Sequence, residues 1–167
     1  MKYTIVITLS VASLFGSTLA CNIDRPAVGN NAANVRAGSK NISPIAVNNM
    51  KIKIGSKTFN ATLSDNATAA AFEALLPLTL DMEELNGNEK KSDLADPLPG
   101  DASNPETIKS GDLMLWGRNT VVVFYKSFPT SYSYTRIGRI EDPPGLEAAV
   151  GKGNVTITFE LDRSTKE

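Results

Sequence analysis

Met50-Lys51-Ile52-Lys53-Ile54-Gly55-Ser56-Lys57-Thr58-Phe59-Asn60-Ala61-Thr62-Leu63 is two alternating runs joined by a Gly-Ser pair. Apolar and polar residues trade places at period two on both sides of the pair, the pattern of strands with one buried face. A two-residue turn rich in glycine between such runs makes an antiparallel hairpin. The folded part of the chain is therefore expected to open on a β-hairpin and to run from about residue 49 to residue 162.

The next segments extend this pattern. Ser64-Asp65-Asn66 offers N-caps for an alanine-rich run, Ala67 to Leu76, in which Phe72, Leu75 and Leu76 share a helix face. Pro77 stops that helix, so two to three turns packed on a sheet are expected. Leu78 to Leu85 alternates again, with Leu78, Leu80 and Met82 on one side, and Asn86-Gly87-Asn88 marks a turn. Residues 92–110 carry three prolines and read as a long surface loop. Asp112–Trp116 and Thr120–Tyr125 flank Gly117-Arg118-Asn119 and read as a second hairpin. Ser131–Ile140 is expected to be one strand. A short helix at Leu146–Val150 and a final strand at Asn154–Leu161 follow. Seven or eight short strands with one or two short helices imply a mainly β fold, a small closed antiparallel barrel capped by helices.

The N-terminus says where such a domain works. Lys2, the apolar stretch Tyr3–Phe15 and the small residues up to Ala20 precede Cys21, the only cysteine. This is similar to a bacterial lipoprotein signal, with residues 1–20 removed and Cys21 lipidated. The apolar run is too short to span a bilayer comfortably. Residues 21–48 are rich in Asn, Ala, Gly and Ser and read as a flexible tether, about 30 Å long as a random coil. Residues 163–167 read as a polar tail. The expected setting is the cell envelope, with the domain lipid-anchored to a membrane and facing the periplasm or exterior.

Composition removes several classes of chemistry. The chain has no histidine, so no Ser-His-Asp or Cys-His nucleophile system is available. One cysteine, reserved for lipid, cannot build a disulfide or a Cys/His zinc site. Without residues 1–20, whose only charge is Lys2, 16 cations face 18 acids, and no basic stripe suggests nucleic acid. No catalytic residue, metal or cofactor is assigned.

The region 50–161 resembles the small bacterial members of the cyclophilin-like superfamily. The resemblance rests on the hairpin Met50–Leu63, the helix 66–76 with its Leu-Pro end, and Leu78–Leu85 followed by Asn-Gly-Asn-Glu at 86–89. It rests also on Gly111-Asp112-Leu113-Met114-Leu115-Trp116-Gly117 and on Tyr134-Thr135-Arg136-Ile137-Gly138-Arg139-Ile140. It implies an antiparallel barrel with capping helices. Isomerase cyclophilins hold proline in an apolar groove beside an arginine from a Phe-His-Arg segment. That guanidinium stabilises the twisted amide of the transition state. This chain lacks the segment, and its matching region offers Met82, Glu83, Glu84, Asn86, Glu89, Lys90 and Lys91 instead.

Three functional classes follow. The first is a non-catalytic module binding a peptide or small ligand, with Met82, Glu84, Asn86, Trp116, Tyr132, Tyr134 and Arg136 lining its groove. Trp116 is also compatible with a core position, and Tyr132, Tyr134 and Arg136 with an exposed sheet face. The second is a peptidyl-prolyl isomerase in which Arg118 or Arg136 replaces the missing arginine. An enzyme using the acidic strand Asp81–Glu84 as its base is a further expectation, set against solvated face charges. Lys90-Lys91 is read as a solvated edge.

Overall fold

A computed structural model describes residues 48–163. The expected signal, Cys21, the tether up to residue 47 and residues 164–167 lie outside the described residues. Ten strands and two helices follow one another as β1 (Asn49–Ile54), β2 (Lys57–Leu63), α1 (Ala67–Glu73), β3 (Leu78–Leu85), β4 (Glu89–Asp93) and β5 (Thr107–Ile108). Then come β6 (Asp112–Trp116), β7 (Thr120–Phe124), β8 (Phe128–Pro129), β9 (Thr135–Ile140), α2 (Leu146–Val150) and β10 (Val155–Leu161). Eight of the strands close a barrel in the order β1-β10-β3-β4-β7-β6-β9-β2, and β5 pairs with β8 outside it.

The first hairpin folds as its pattern dictates. Ile52 lies opposite Phe59 and Met50 opposite Ala61, and all four point into the barrel core. Gly55 turns the chain at φ 56°, a left-handed conformation that glycine adopts without steric penalty. A barrel of eight strands has an interior just wide enough for side chains to fill. Here Ile54, Met82, Leu113, Leu115, Val121, Val123, Ile157 and Phe159 fill it. α1 adds Phe72, whose ring meets Phe159 edge-on at 5.4 Å between centroids, and α2 adds Leu146 and Val150.

α1 is shorter than its apolar spacing suggests. Asn66 is the N-cap, its side chain accepting from the Ala69 N–H at 2.8 Å. The helix ends at Glu73, three residues earlier than expected. Leu75 therefore does not join the core and stands 43% exposed. Leu76, on the turn into β3, packs against the core only in part.

β4, β5 and β8 are strands that the sequence pattern does not announce, and of these β4 belongs to the barrel, between β3 and β7. The Asn86-Gly87-Asn88 turn does not release the chain into a loop but folds it back, pairing Leu85 with Glu89, Glu84 with Lys90 and Glu83 with Lys91. Asn86 and Gly87 both take positive φ to make this bend. The pairing splits the two lysines between faces. Lys91 is on the outside, while Lys90 is 0% exposed rather than part of a solvated edge.

A second, smaller core lies on the outer face of β6 and β7. Met114, Val122 and Phe124 point outward and are covered by Ile108, Phe128 and Tyr134. The covering layer is held by the β5–β8 pair, by the Thr130 N–H donating to the Glu106 carbonyl, and by Ser103 and Tyr134 exchanging backbone bonds of 3.0 Å. The stretch 92–110 is thus anchored to the barrel at several points, with Leu94 and Leu98 buried in the inner core. Ser131–Ile140 is not one strand. β9 starts at Thr135, and Tyr132 and Ser133 belong to the covering layer's irregular approach.

Candidate functional site

The outer rows of β4, β7 and β6 build a groove beside the covering layer. Strand register places Glu89 beside Phe124, Lys91 beside Val122 and Asp93 beside Thr120. Val122 and Thr120 in turn neighbour Met114 and Trp116. Side chains alternate between faces, so Glu89, Lys91 and Asp93 all face outward with Thr120, Val122 and Trp116. The result is an open groove of about 450 Å³, bordered by Leu85 and Asn86 on one side and by Phe128, Tyr132 and Tyr134 on the other. Its size falls in the range of small-ligand sites, roughly 300–1,000 Å³.

Aromatic residues dominate the groove's reach into solvent. Trp116 is 53% exposed, so it is a groove wall and not a core residue. Tyr132 is exposed, whereas Tyr134 is buried against Phe124 with ring centroids 5.4 Å apart. The polar lining is held in fixed positions. Thr120 donates to Asp93 at 2.6 Å, and Lys91 is drawn to Glu83 at 3.2 Å. Glu89 is only 8% exposed. Burial and the nearby Glu84 charge push its carboxyl up, against the opposing effect of an Asn86 hydrogen bond and the Lys91 charge. Burial, followed by the Glu89 charge, also raises Tyr134.

Of the seven residues expected to line the groove, Asn86, Trp116, Tyr132 and Tyr134 come together there. The other three are placed elsewhere. Met82 shares the inward face of β3 with Leu78 and Leu80 and is sealed in the barrel core. Glu84 shares that parity and turns inward to Lys90. Arg136 donates to the buried Asp112 carboxylate at 2.9 Å and borders a separate depression with Asn66, Thr68 and Asp101. The expected Tyr132–Tyr134–Arg136 stripe is broken because the tyrosines precede β9. Groove residues outside those seven are Thr120, Val122 and Phe128 and, on the opposite parity of the β3–β4 hairpin, Leu85, Glu89, Lys91 and Asp93. A return strand after Asn-Gly-Asn, signalled by two Glu–Lys pairs across the turn, would have exposed these hairpin residues.

The inward face of the same hairpin carries a closed polar network. The Lys90 ammonium is held by the Glu84 carboxylate and by the carbonyls of Gly151 and Gly153. The Tyr125 hydroxyl donates to the other Glu84 oxygen at 2.8 Å, and the Gly87 N–H donates there too. Burial pushes the Glu84 carboxyl up, but the bonds from Lys90 and Tyr125 outweigh it and hold it below the ordinary carboxylate range. Every donor of Lys90 is used, which is what a buried ammonium requires. This network is structural, joining the β3–β4 hairpin to the segment that leaves α2.

The acidic strand does not assemble a base. Asp81 accepts from Thr156 at 2.6 Å, Glu83 pairs with Lys91, and Glu84 faces inward. Three neighbouring acids thus serve three separate contacts.

A model of the cyclophilin-like family matches residues 52–160, well over half of the chain. No curated protein matches the sequence. The matched span begins within β1, ends within β10 and takes in every strand between them and the outer groove; the chain belongs to the cyclophilin-like family.

Proposed function

We propose that this chain is a non-catalytic binding module, lipid-anchored through Cys21 in the cell envelope, whose outer groove holds a peptide segment or small ligand. The observation that carries the reading is the groove's lining. Exposed Trp116 and Tyr132 stand over a base of Val122 and Thr120, a concave apolar surface with a few placed polar groups. Aromatic side chains of this kind supply large contact area at small entropic cost.

The lining also speaks against prolyl isomerisation. Twisting a prolyl amide calls for a positioned donor to the developing charge. The only cation bordering the groove among the described residues is Lys91, already paired with Glu83. Arg118 reaches back to the Leu98 carbonyl at 3.4 Å, and Arg136 is engaged by Asp112.

A prolyl cis/trans assay of the protein beside Arg118→Ala, Arg136→Ala and Arg139→Ala tests this directly. No acceleration over the uncatalysed rate is expected from any of the four. Acceleration abolished by one substitution would overturn the non-catalytic reading and name the catalytic arginine. Membrane association is tested by Cys21→Ser, which is expected to move the protein from the membrane to the soluble fraction.

A further inference from the structure

We infer that the groove selects a ligand with a cationic group beside an apolar body, the cation seated on Glu89 and the body against Trp116 and Tyr132. The inference rests on the groove being the ligand site and names the chemistry it recognises, a basic side chain of a peptide segment.

Glu89 carries the argument. It is the most deeply buried carboxylate of the groove, 8% exposed, yet no lysine or arginine among the described residues comes within ion-pair distance of it. The two lysines of its own strand are committed elsewhere, Lys91 to Glu83 on the outside and Lys90 to Glu84 on the inside. Burying a carboxylate without a cation is unfavourable. Compare Asp112, still more deeply buried at 1% exposed, which is compensated by Arg136 and by the Lys109 N–H at 2.8 Å. Glu89 has the Asn86 hydrogen bond and the charge of Lys91 near it, but no ion pair.

The rest of the lining agrees. Asp93 adds a second acid on the same outward row, so an incoming cation meets two carboxylates against one neutralised lysine. Trp116 and Tyr132 offer exposed ring faces, which attract ammonium and guanidinium groups as well as apolar surface. An acidic ligand would meet repulsion from both acids and gain no free cation.

Trp116 is the only tryptophan of the chain, so its emission reports occupancy of the groove in the full-length protein. Three capped dipeptides serve as probes: acetyl-leucyl-lysine amide, acetyl-leucyl-norleucine amide and acetyl-leucyl-glutamate amide. The expected order is lysine over norleucine over glutamate, the first step being roughly tenfold in Kd, as for a partly desolvated charge pair. Glu89→Gln should erase the lysine preference and leave norleucine binding within about twofold.

Norleucine binding as tightly as lysine, or a preference that survives Glu89→Gln, would overturn the cation selection while leaving the groove as the ligand site. No saturable change at Trp116 with any of the three would overturn the groove reading itself. The ranking is read on the unsubstituted protein, so it decides the matter even if Glu89→Gln does not fold.

Discussion

Replacing Glu84 with alanine removes the one anion that faces a completely buried ammonium. Lys90 would keep the carbonyls of Gly151 and Gly153 and the face of the Tyr125 ring 5.5 Å away, but no anion, and the Tyr125 hydroxyl would lose its acceptor. Breaking a buried ion pair from one side costs about 3–5 kcal/mol, because the remaining charge stays buried. The Glu84 side chain is 21% exposed, so water can enter the space it leaves. The loss should therefore sit at the lower end, about 3 kcal/mol. For a domain of this size, with a shift of roughly 3–5 °C per kcal/mol, that lowers Tm by about 10–15 °C. Urea unfolding followed by Trp116 fluorescence should show a lower midpoint at unchanged slope. The double replacement Glu84→Leu with Lys90→Met removes both charges together and should recover most of the loss, to within about 1 kcal/mol of the parent. A Glu84→Ala protein within about 0.5 kcal/mol of the parent would refute the reasoning, and so would a double variant no better than Glu84→Ala.

Three further outcomes are expected. Gly138→Ala should destabilise by about 1–3 kcal/mol or more, because its Cβ would stand 2.5 Å from the Thr62 carbonyl oxygen; Gly100→Ala, whose nearest contact is 3.6 Å, is the control. Asn66→Ala removes the α1 cap and its bond to the Arg136 carbonyl, and should lower stability in urea by about 1 kcal/mol; an unchanged midpoint would show that the cap contributes nothing. Burial, then the bond to Glu84, raises the Tyr125 phenol from 10.0 to about 12. The folded chain therefore keeps a proton that the unfolded chain releases, so this contribution is whole below pH 10.0 and is lost as pH rises to about 12. Urea midpoints should fall across that window, and less steeply in Tyr125→Phe; equal slopes would contradict the assignment.

The barrel was legible because its strands carry their address in alternating side chains. The hairpin Met50–Leu63, the β6–β7 pair around Gly117-Arg118-Asn119 and the inward set Val155, Ile157 and Phe159 need no tertiary information to be placed. The groove was legible only in part, and the failures share one physical cause. β4 is five residues of Glu, Lys, Lys, Ser and Asp, with no apolar alternation, so nothing local marks it as a strand. Its inward residue, Lys90, is buried by partners from three other segments. Without β4 the outward parity of the hairpin was invisible, so Glu89 stood only as one residue of the region after β3 and Asp93 fell in the expected loop. Met82 was misplaced for the converse reason: its apolar neighbours Leu78 and Leu80 already marked the β3 face that turns into the core. Tyr132 and Tyr134 reach the groove through a non-strand approach to β9, and period-two counting cannot anticipate such a path.

The most direct test of the account is a map of where small ligands settle. Amide and indole NMR shifts of the protein should be followed against a panel of small aromatic amines and neutral aromatics. Shifts concentrated at the Trp116 indole N–H and at the amides of Glu89, Thr120, Val122 and Tyr134 are the predicted result. Shifts gathered instead at the depression formed by Glu84, Glu147 and Lys152, or at that formed by Asn66, Asp101 and Arg136, would contradict it.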